Sequence, residues 1–236
     1  MKIGIMQPYF FPYIGYFQLI NSVDKFVIFD DVQYINRGWI NRNNILVSGM
    51  GNVITIPIKK HSLNSNINKC ILGDAAEETC KKILETIKRN YKKAQYFEKV
   101  FPMLEEVITI NKKIDVSTYN YNSLKVICNY LKIDTEFLLS SEIEKDEKLV
   151  ATDKIIDIVK ILNGKVYINP IGGINLYSQE RFRNENIKLR FIEMDNIQYH
   201  QFNNEFIPNL SIIDAMMFNN VEEIQKMLNQ YKLITN

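Results

Sequence analysis

Residues 2–31 read KIGIMQPYFFPYIGYFQLINSVDKFVIFDD. KIGIM is a short apolar run of the kind that forms a buried strand. QPYFFP then stops it with two prolines, which cannot donate to a sheet ladder. Ile14, Phe17, Leu19, Ile20 and Val23 follow at roughly helical spacing. KFVIFD is a second strand, apolar until Asp30. Strand, turn, helix and strand imply a right-handed crossover joining a parallel pair. Gln7 and Tyr9 therefore fall at the carboxyl end of the first strand, where open α/β sheets bind ligands. They stand beside a helix N-terminus, whose free N–H groups favour an anion such as a phosphate. Asp30 and Asp31 end the second strand on the same rim. The competing reading is that Tyr9, Phe10, Phe11, Tyr13 and Phe17 simply cover the helix–sheet junction.

Downstream, RGWINRNNI (37–45) holds the only tryptophan, Trp39, with Asn41, Arg42 and Asn43. The Arg42 guanidinium is a planar fork that matches phosphate or carboxylate. Trp39 offers a flat face to a base or sugar, and asparagine amides can read sugar hydroxyls. The bland alternative is a solvated loop with one buried anchor, in which Asn41 and Asn43 bond backbone groups. VITIPIKK (53–60) alternates like a strand and is closed by Pro57.

From about residue 75 to about residue 133, apolar residues recur at threes and fours while charges fill the other faces, the pattern of solvated helices. Pro102 is expected to begin a helix, and Ser117 is a cap candidate for another. The last third alternates again. TEFLLSSEI reads as a strand, ATDKIIDIVKILNG as a helix, KVYINPIGG as a strand with a glycine turn, and IKLRFIEM as a strand. LSIIDAMMFNN opens with Ser211 three residues before Asp214, resembling a capping box. The fold class is α/β: a mainly parallel central sheet flanked by helices, with the helical segment in mid-chain, all in one domain over residues 1–236.

Composition limits the function. The chain has 236 residues and a net charge of +2, which gives no argument for nucleic acid. No apolar run is long enough to span a bilayer, and no signal peptide is evident. Cys70, Cys80 and Cys128 are odd in number and at no metal spacing, which suits reduced packing residues in a cytoplasmic protein. There is no Walker-A loop, no GxGxxG and no GxSxG elbow. With only His61 and His200 available, a multi-histidine metal centre is not expected. His61, just beyond a strand, is either a general base or a solvated turn residue.

MQPYFFPYIGYFQLI, FDDVQYINRGWINRNNI, TIPIKK and LSIIDAMMFN together resemble the WbqC-like family of bacterial surface-polysaccharide gene clusters. The resemblance runs over essentially the whole chain and is strongest at residues 3–58 and 207–219. It implies an N-acyl or N-aminoacyl transferase acting on a nucleotide-linked amino-dideoxy sugar, such as a dTDP-linked one, in O-antigen or other surface-glycan synthesis. The matching positions include Gln7, Tyr9, Tyr16, Asp30, Gln33, Trp39, Asn41, Arg42 and Asn43 as substrate-binding candidates. Gly172 and Gly173 match only loosely. In the mechanism this implies, His61 or Asp31 takes the proton from the sugar amine. No tightly bound cofactor is expected, only an acyl or aminoacyl donor, and a homodimer is left open. Two alternatives stand beside it. PYFFPYIGYFQLI has the outline of the first turn of HIGH-type nucleotidyltransferases, with tyrosines where those enzymes have histidines. An acid-activating enzyme of that kind would use ATP and magnesium, with Asp30 and Asp31 as ligands. A non-catalytic nucleotide-sugar-binding protein is the other.

Overall fold

The computed structural model describes residues 1–110, 113–202 and 205–235. The opening stretch forms β1 (Lys2–Met6), α1 (Ile14–Asn21) and β2 (Lys25–Ile28), and β1 pairs with β2 in parallel. An insertion follows: the hairpin β3 (Arg42–Val47) and β4 (Met50–Thr55), then α2 (Ala76–Tyr91), α3 (Phe97–Ile108) and α4 (Val116–Tyr130). The chain returns through β5 (Glu136–Leu139), α5 (Ala151–Ile161), β6 (Val166–Pro170), α6 (Gln179–Asn184) and β7 (Lys188–Met194). It ends in α7 (Ile212–Phe218), α8 (Val221–Met227) and β8 (Tyr231–Ile234).

The main sheet has the order β5-β2-β1-β6-β7-β8. All its pairings are parallel except that of β7 with β8. This is the mainly parallel α/β fold expected. The chain leaves β1 towards β2 on one side, and β6 lies on the other, so the strand order reverses between β1 and β6. Side chains alternate faces along each strand. Phe26, Ile28, Ile168 and Ile192 join a core with α1 and the inserted helices, whereas Val27, Tyr167, Leu189 and Phe191 join a second core with α5 and α6. Central strands buried on both faces explain why KIGIM and KFVIF are apolar throughout rather than alternating.

Several local expectations are corrected. RGWINRNNI is not all loop: its last residues open β3, which pairs antiparallel with β4. The turn is Ser48–Gly49, both at positive φ (51° and 79°), as the twist of a tight hairpin requires. Pro102 lies inside α3, not at its start. The periodic residues Phe97, Val100, Phe101 and Leu104 are all buried, and their burial offsets the one backbone bond to Glu98 that proline forfeits. Asp115, not Ser117, caps α4, accepting from the Thr118 N–H at 2.9 Å. Ser211 does cap α7, through the Ile213 N–H at 3.3 Å, but Asp214 does not close a capping box.

Asp214 is instead a buried hub. It accepts from Tyr91 Oη at 2.8 Å, Tyr199 Oη at 2.8 Å and Gln201 Nε2 at 2.6 Å. Tyr91 Oη in turn accepts from the Leu46 N–H at 2.7 Å, tying α2, β3 and α7 together. Burial pushes the Asp214 carboxyl above its ordinary 3.8, against the three hydrogen bonds that favour the charged form. The folded chain thus holds this proton at a pH where the unfolded chain has released it. The group's stabilisation is fully present below the unfolded value and is lost as pH rises through the folded one. Urea unfolding at about pH 4 and about pH 7 checks this: the stability of the wild type relative to Asp214→Asn falls at the higher pH. An equal difference at both pH values contradicts it.

Candidate functional site

Residues 7–12 form a clamped turn after β1. Phe10 and Phe11 are fully buried, so the packing reading holds for these two rings. Phe11 sits at φ 41°, a left-handed conformation that a bulky residue adopts only when its surroundings impose it. Those surroundings are specific. Asn43 Nδ2 donates to the carbonyls of Phe10 and Phe11, both at 2.9 Å. Ser211 Oγ donates to the Phe11 carbonyl at 2.7 Å, and Asn120 Nδ2 donates to Pro8 at 3.0 Å and Ile40 at 2.7 Å. Tyr16 Oη donates to the Gln7 carbonyl at 2.8 Å. With Phe10 and Phe11 held inward, Tyr9 and Tyr13 are left on the wall of a cavity.

That cavity, of about 600 Å³, lies at the carboxyl ends of β1, β6 and β7, at the point where the strand order reverses. Tyr9, Tyr13, Tyr16 and Trp39 form its aromatic walls, and Pro170, Ile171 and Gly172 close it after β6. Tyr9 and Tyr16 lie 5.5 Å apart, centre to centre. Gly15 lets the Tyr13 ring fold over the first turn of α1, since a Cβ there would stand 2.4 Å from Tyr13 Cε2. Tyr13, at the N-cap of α1, makes no side-chain cap bond among the described residues. Burial raises the Tyr9 and Tyr13 phenols, with Tyr13 adding to the shift at Tyr9, so both stay protonated at neutral pH and can donate. Gln18 is fully buried and also lines the cavity. Its Nε2 is fixed by the carbonyls of Met227 at 2.8 Å and Gln230 at 2.9 Å, leaving Oε1 without a donor among the described residues. Glu193, on β7, is the one ionisable residue besides the tyrosines among the described lining residues; no lysine, arginine or histidine is among them. The cavity therefore offers acceptors, phenols and ring faces, a set that suits a polar ligand carrying an amine or hydroxyls.

The sequence candidates divide into groups. Tyr9, Tyr16, Trp39 and Asn43 line the cavity; Gln7, Asp30, Asp31, Gln33, Asn41, Arg42 and His61 do not. Asn41 and Asn43 pin backbone, Asn41 Nδ2 donating to the Ile56 carbonyl at 2.8 Å. Arg42 Nε donates to the Gly38 carbonyl at 3.1 Å and its Nη2 to that of Arg37. Its guanidinium lies 5.8 Å from the centre of the Trp39 ring, which puts a cation beside the cavity wall. Gln7 contributes a carbonyl to Tyr16, and Gln33 Nε2 donates to the Leu63 carbonyl at 2.9 Å. Asp30 is buried and accepts from the Ser141 N–H at 2.9 Å, Ser141 Oγ at 2.6 Å and Asn68 Nδ2 at 3.3 Å. Asp31 bridges Lys145 at 2.9 Å and Lys154 at 2.8 Å. Burial alone would raise its carboxyl, but the two ammonium groups outweigh that and hold it below its ordinary value. A carboxylate so stabilised is a poor base at neutral pH. His61 Nδ1 lies 2.9 Å from the Ser62 carbonyl, and its ring packs edge-on against Tyr34.

The groups missed were Asn120, Gln18, Gly172 as a wall, and Glu193. Glu193 carried a signal: a lone carboxylate near the end of an apolar strand, IKLRFIEM, on the rim where ligands bind. Asn120 carried none, because a polar residue on an amphipathic helix reads as its solvated face.

The strand order of this α/β sheet reverses between β1 and β6, and the cavity lies at that point, where open α/β sheets in general bind ligands. The model of the WbqC-like protein family matches residues 7–226. The chain belongs to that family. It is also similar to the uncharacterized protein Rv1507c of Mycobacterium tuberculosis, 28% identical over 221 residues covering 92% of this chain and 93% of the relative. No solved structure matches it. Among the described residues no helix is long and apolar enough to cross a membrane.

Proposed function

We propose that the chain is a transferase that acylates the amine of a nucleotide-linked amino sugar in surface-glycan biosynthesis. The observation that carries this reading is the composition of the switch-point cavity: aromatic walls, Glu193 as its one acidic residue, exposed near the end of β7, and no cation among its described lining residues, Lys232 standing opposite Glu193 on β8. An amino-sugar ring fits such a wall by stacking and by charge. Arg42 beside Trp39 would meet the diphosphate at the margin. The sugar-pathway role is what the resemblance of QPYFFPYIGY and NRNNI to the WbqC-like family implies.

In this reading the substrate arrives as an ammonium ion against Glu193. Glu193 takes one proton, and the neutral amine attacks the carbonyl carbon of the donor. An N–C bond forms, the bond to the donor's leaving group breaks, and that group departs with the electron pair and takes the second proton that the nitrogen sheds as it becomes an amide. Tyr9 orients the sugar through its phenol. The acid-activating alternative needs magnesium at Asp30 and Asp31, but Asp30 is taken by Ser141 and Asn68, and one Asp31 oxygen is shared by two ammonium groups. That donor set is poorly suited to a hard dication.

The test is mass spectrometry of a dTDP-linked 4-amino sugar incubated with the protein and activated acyl donors. The expected result is a nucleotide sugar heavier by one acyl group. Pyrophosphate release from ATP would select the acid-activating enzyme, and binding without any mass change would select the binding protein.

A further inference from the structure

A second cavity, of about 310 Å³, adjoins the first. Tyr13, Met194 and Asn209 line both, so the two spaces meet at one shared wall. A transferase needs that arrangement, because its two substrates must touch at the reacting atoms and nowhere else. The smaller space is built differently from the larger. Ile197 and Phe206 give it apolar surface, and Tyr199 adds only its ring, since its hydroxyl is spent on Asp214 at 2.8 Å. At one end stands Asp195, whose nearest cation, Lys232, is 3.9 Å away with both side chains largely exposed. An exposed pair at that distance is weak and exchangeable.

We infer that this cavity is the donor compartment and that it takes an aminoacyl group: the α-ammonium at Asp195, an apolar side chain against Ile197 and Phe206, and the reactive carbonyl at Tyr13. The inference rests on the transferase reading of the larger cavity. Tyr13 suits the junction because its hydroxyl has no partner among the described residues and the missing Cβ at Gly15 leaves room for its ring over α1. A phenol that remains protonated can donate to the carbonyl oxygen as charge develops there. The step balances with an aminoacyl ester or thioester as donor. The sugar nitrogen, neutral once Glu193 has taken one proton, bonds to the carbonyl carbon, the carbon–oxygen or carbon–sulfur bond breaks, and the second proton that the nitrogen sheds as it becomes an amide passes to the departing alkoxide or thiolate.

The experiment uses the full chain and two probes without a leaving group, leucinamide and 4-methylpentanamide, which differ by the α-amino group. Wild type binds leucinamide at least about tenfold more tightly. Asp195→Asn abolishes that preference, and Asn196→Trp, at an exposed position on the rim, weakens leucinamide by a similar factor. Neither substitution changes affinity for the dTDP-linked 4-amino sugar. Equal binding of the two amides by wild type, or a preference that survives Asp195→Asn, overturns the inference. Selective leucinamide binding in a protein that transfers nothing upholds the compartment and removes the transferase. Transfer of plain acyl groups with no leucinamide binding does the reverse.

Discussion

In the proposed transfer, Glu193→Gln lowers the rate by at least about a hundredfold, the range a lost general base gives. The amide keeps the shape of the side chain and its carbonyl acceptor, so the sugar can still dock. It cannot take the proton that the ammonium must lose before nitrogen can attack. Affinity for the amino sugar falls only a few-fold, because Glu193 is exposed and an exposed ion pair contributes about 1 kcal/mol or less. The split between rate and affinity is the readout, taken from steady-state kinetics beside direct titration of the nucleotide sugar. A variant with full turnover shows that the base lies elsewhere, and His61→Ala is then the next substitution to make.

Asn120→Ala lowers the melting temperature by about 4–24 °C. The side chain is fully buried and satisfies the carbonyls of Pro8 and Ile40 together. Each carbonyl left unpaired costs about 1–3 kcal/mol, giving about 2–6 kcal/mol for the two, and a chain of this length loses about 2–4 °C per kcal/mol. The lost bonds also free the clamped turn, so nucleotide-sugar affinity falls with stability. Calorimetry on the two proteins checks the first effect. A shift under about 2 °C would mean that water or a relaxed backbone replaces the amide.

The parallel sheet was legible in the sequence because buried central strands leave a plain mark. KIGIM and KFVIF are apolar without alternation, and two prolines separate the first from its helix. The placement of Tyr9 and Trp39 on a cavity followed from the same logic, since both come from connections that emerge at the carboxyl edge, whereas Tyr16, inside α1, was singled out by the family resemblance. Asp31 and Arg42 were harder to place. Their chemistry suits a ligand, but nothing local to Asp31 announces that Lys145 and Lys154, more than a hundred residues away, will neutralise it. Likewise Arg42 is drawn to the carbonyls of its own loop. The hairpin β3–β4 escaped notice because Ser48 takes a positive φ that asparagine or glycine usually supplies. Pro102 misled for a related reason: proline favours a helix's first turn in general, while here the burial of Phe97 starts the helix earlier.

The central claim is that the cavity between the ends of β1 and β6 is where the ligand binds, and Gly172→Phe tests it directly. A Cβ at Gly172 meets no atom within 4 Å, and the residue is exposed where it lines the cavity, so a phenyl ring at the cavity mouth is accommodated without displacing backbone. Titration calorimetry with the dTDP-linked 4-amino sugar should then show affinity reduced by more than about tenfold, while the melting temperature stays within about 3 °C of wild type. Undiminished affinity in the folded variant would place the ligand elsewhere and contradict the account.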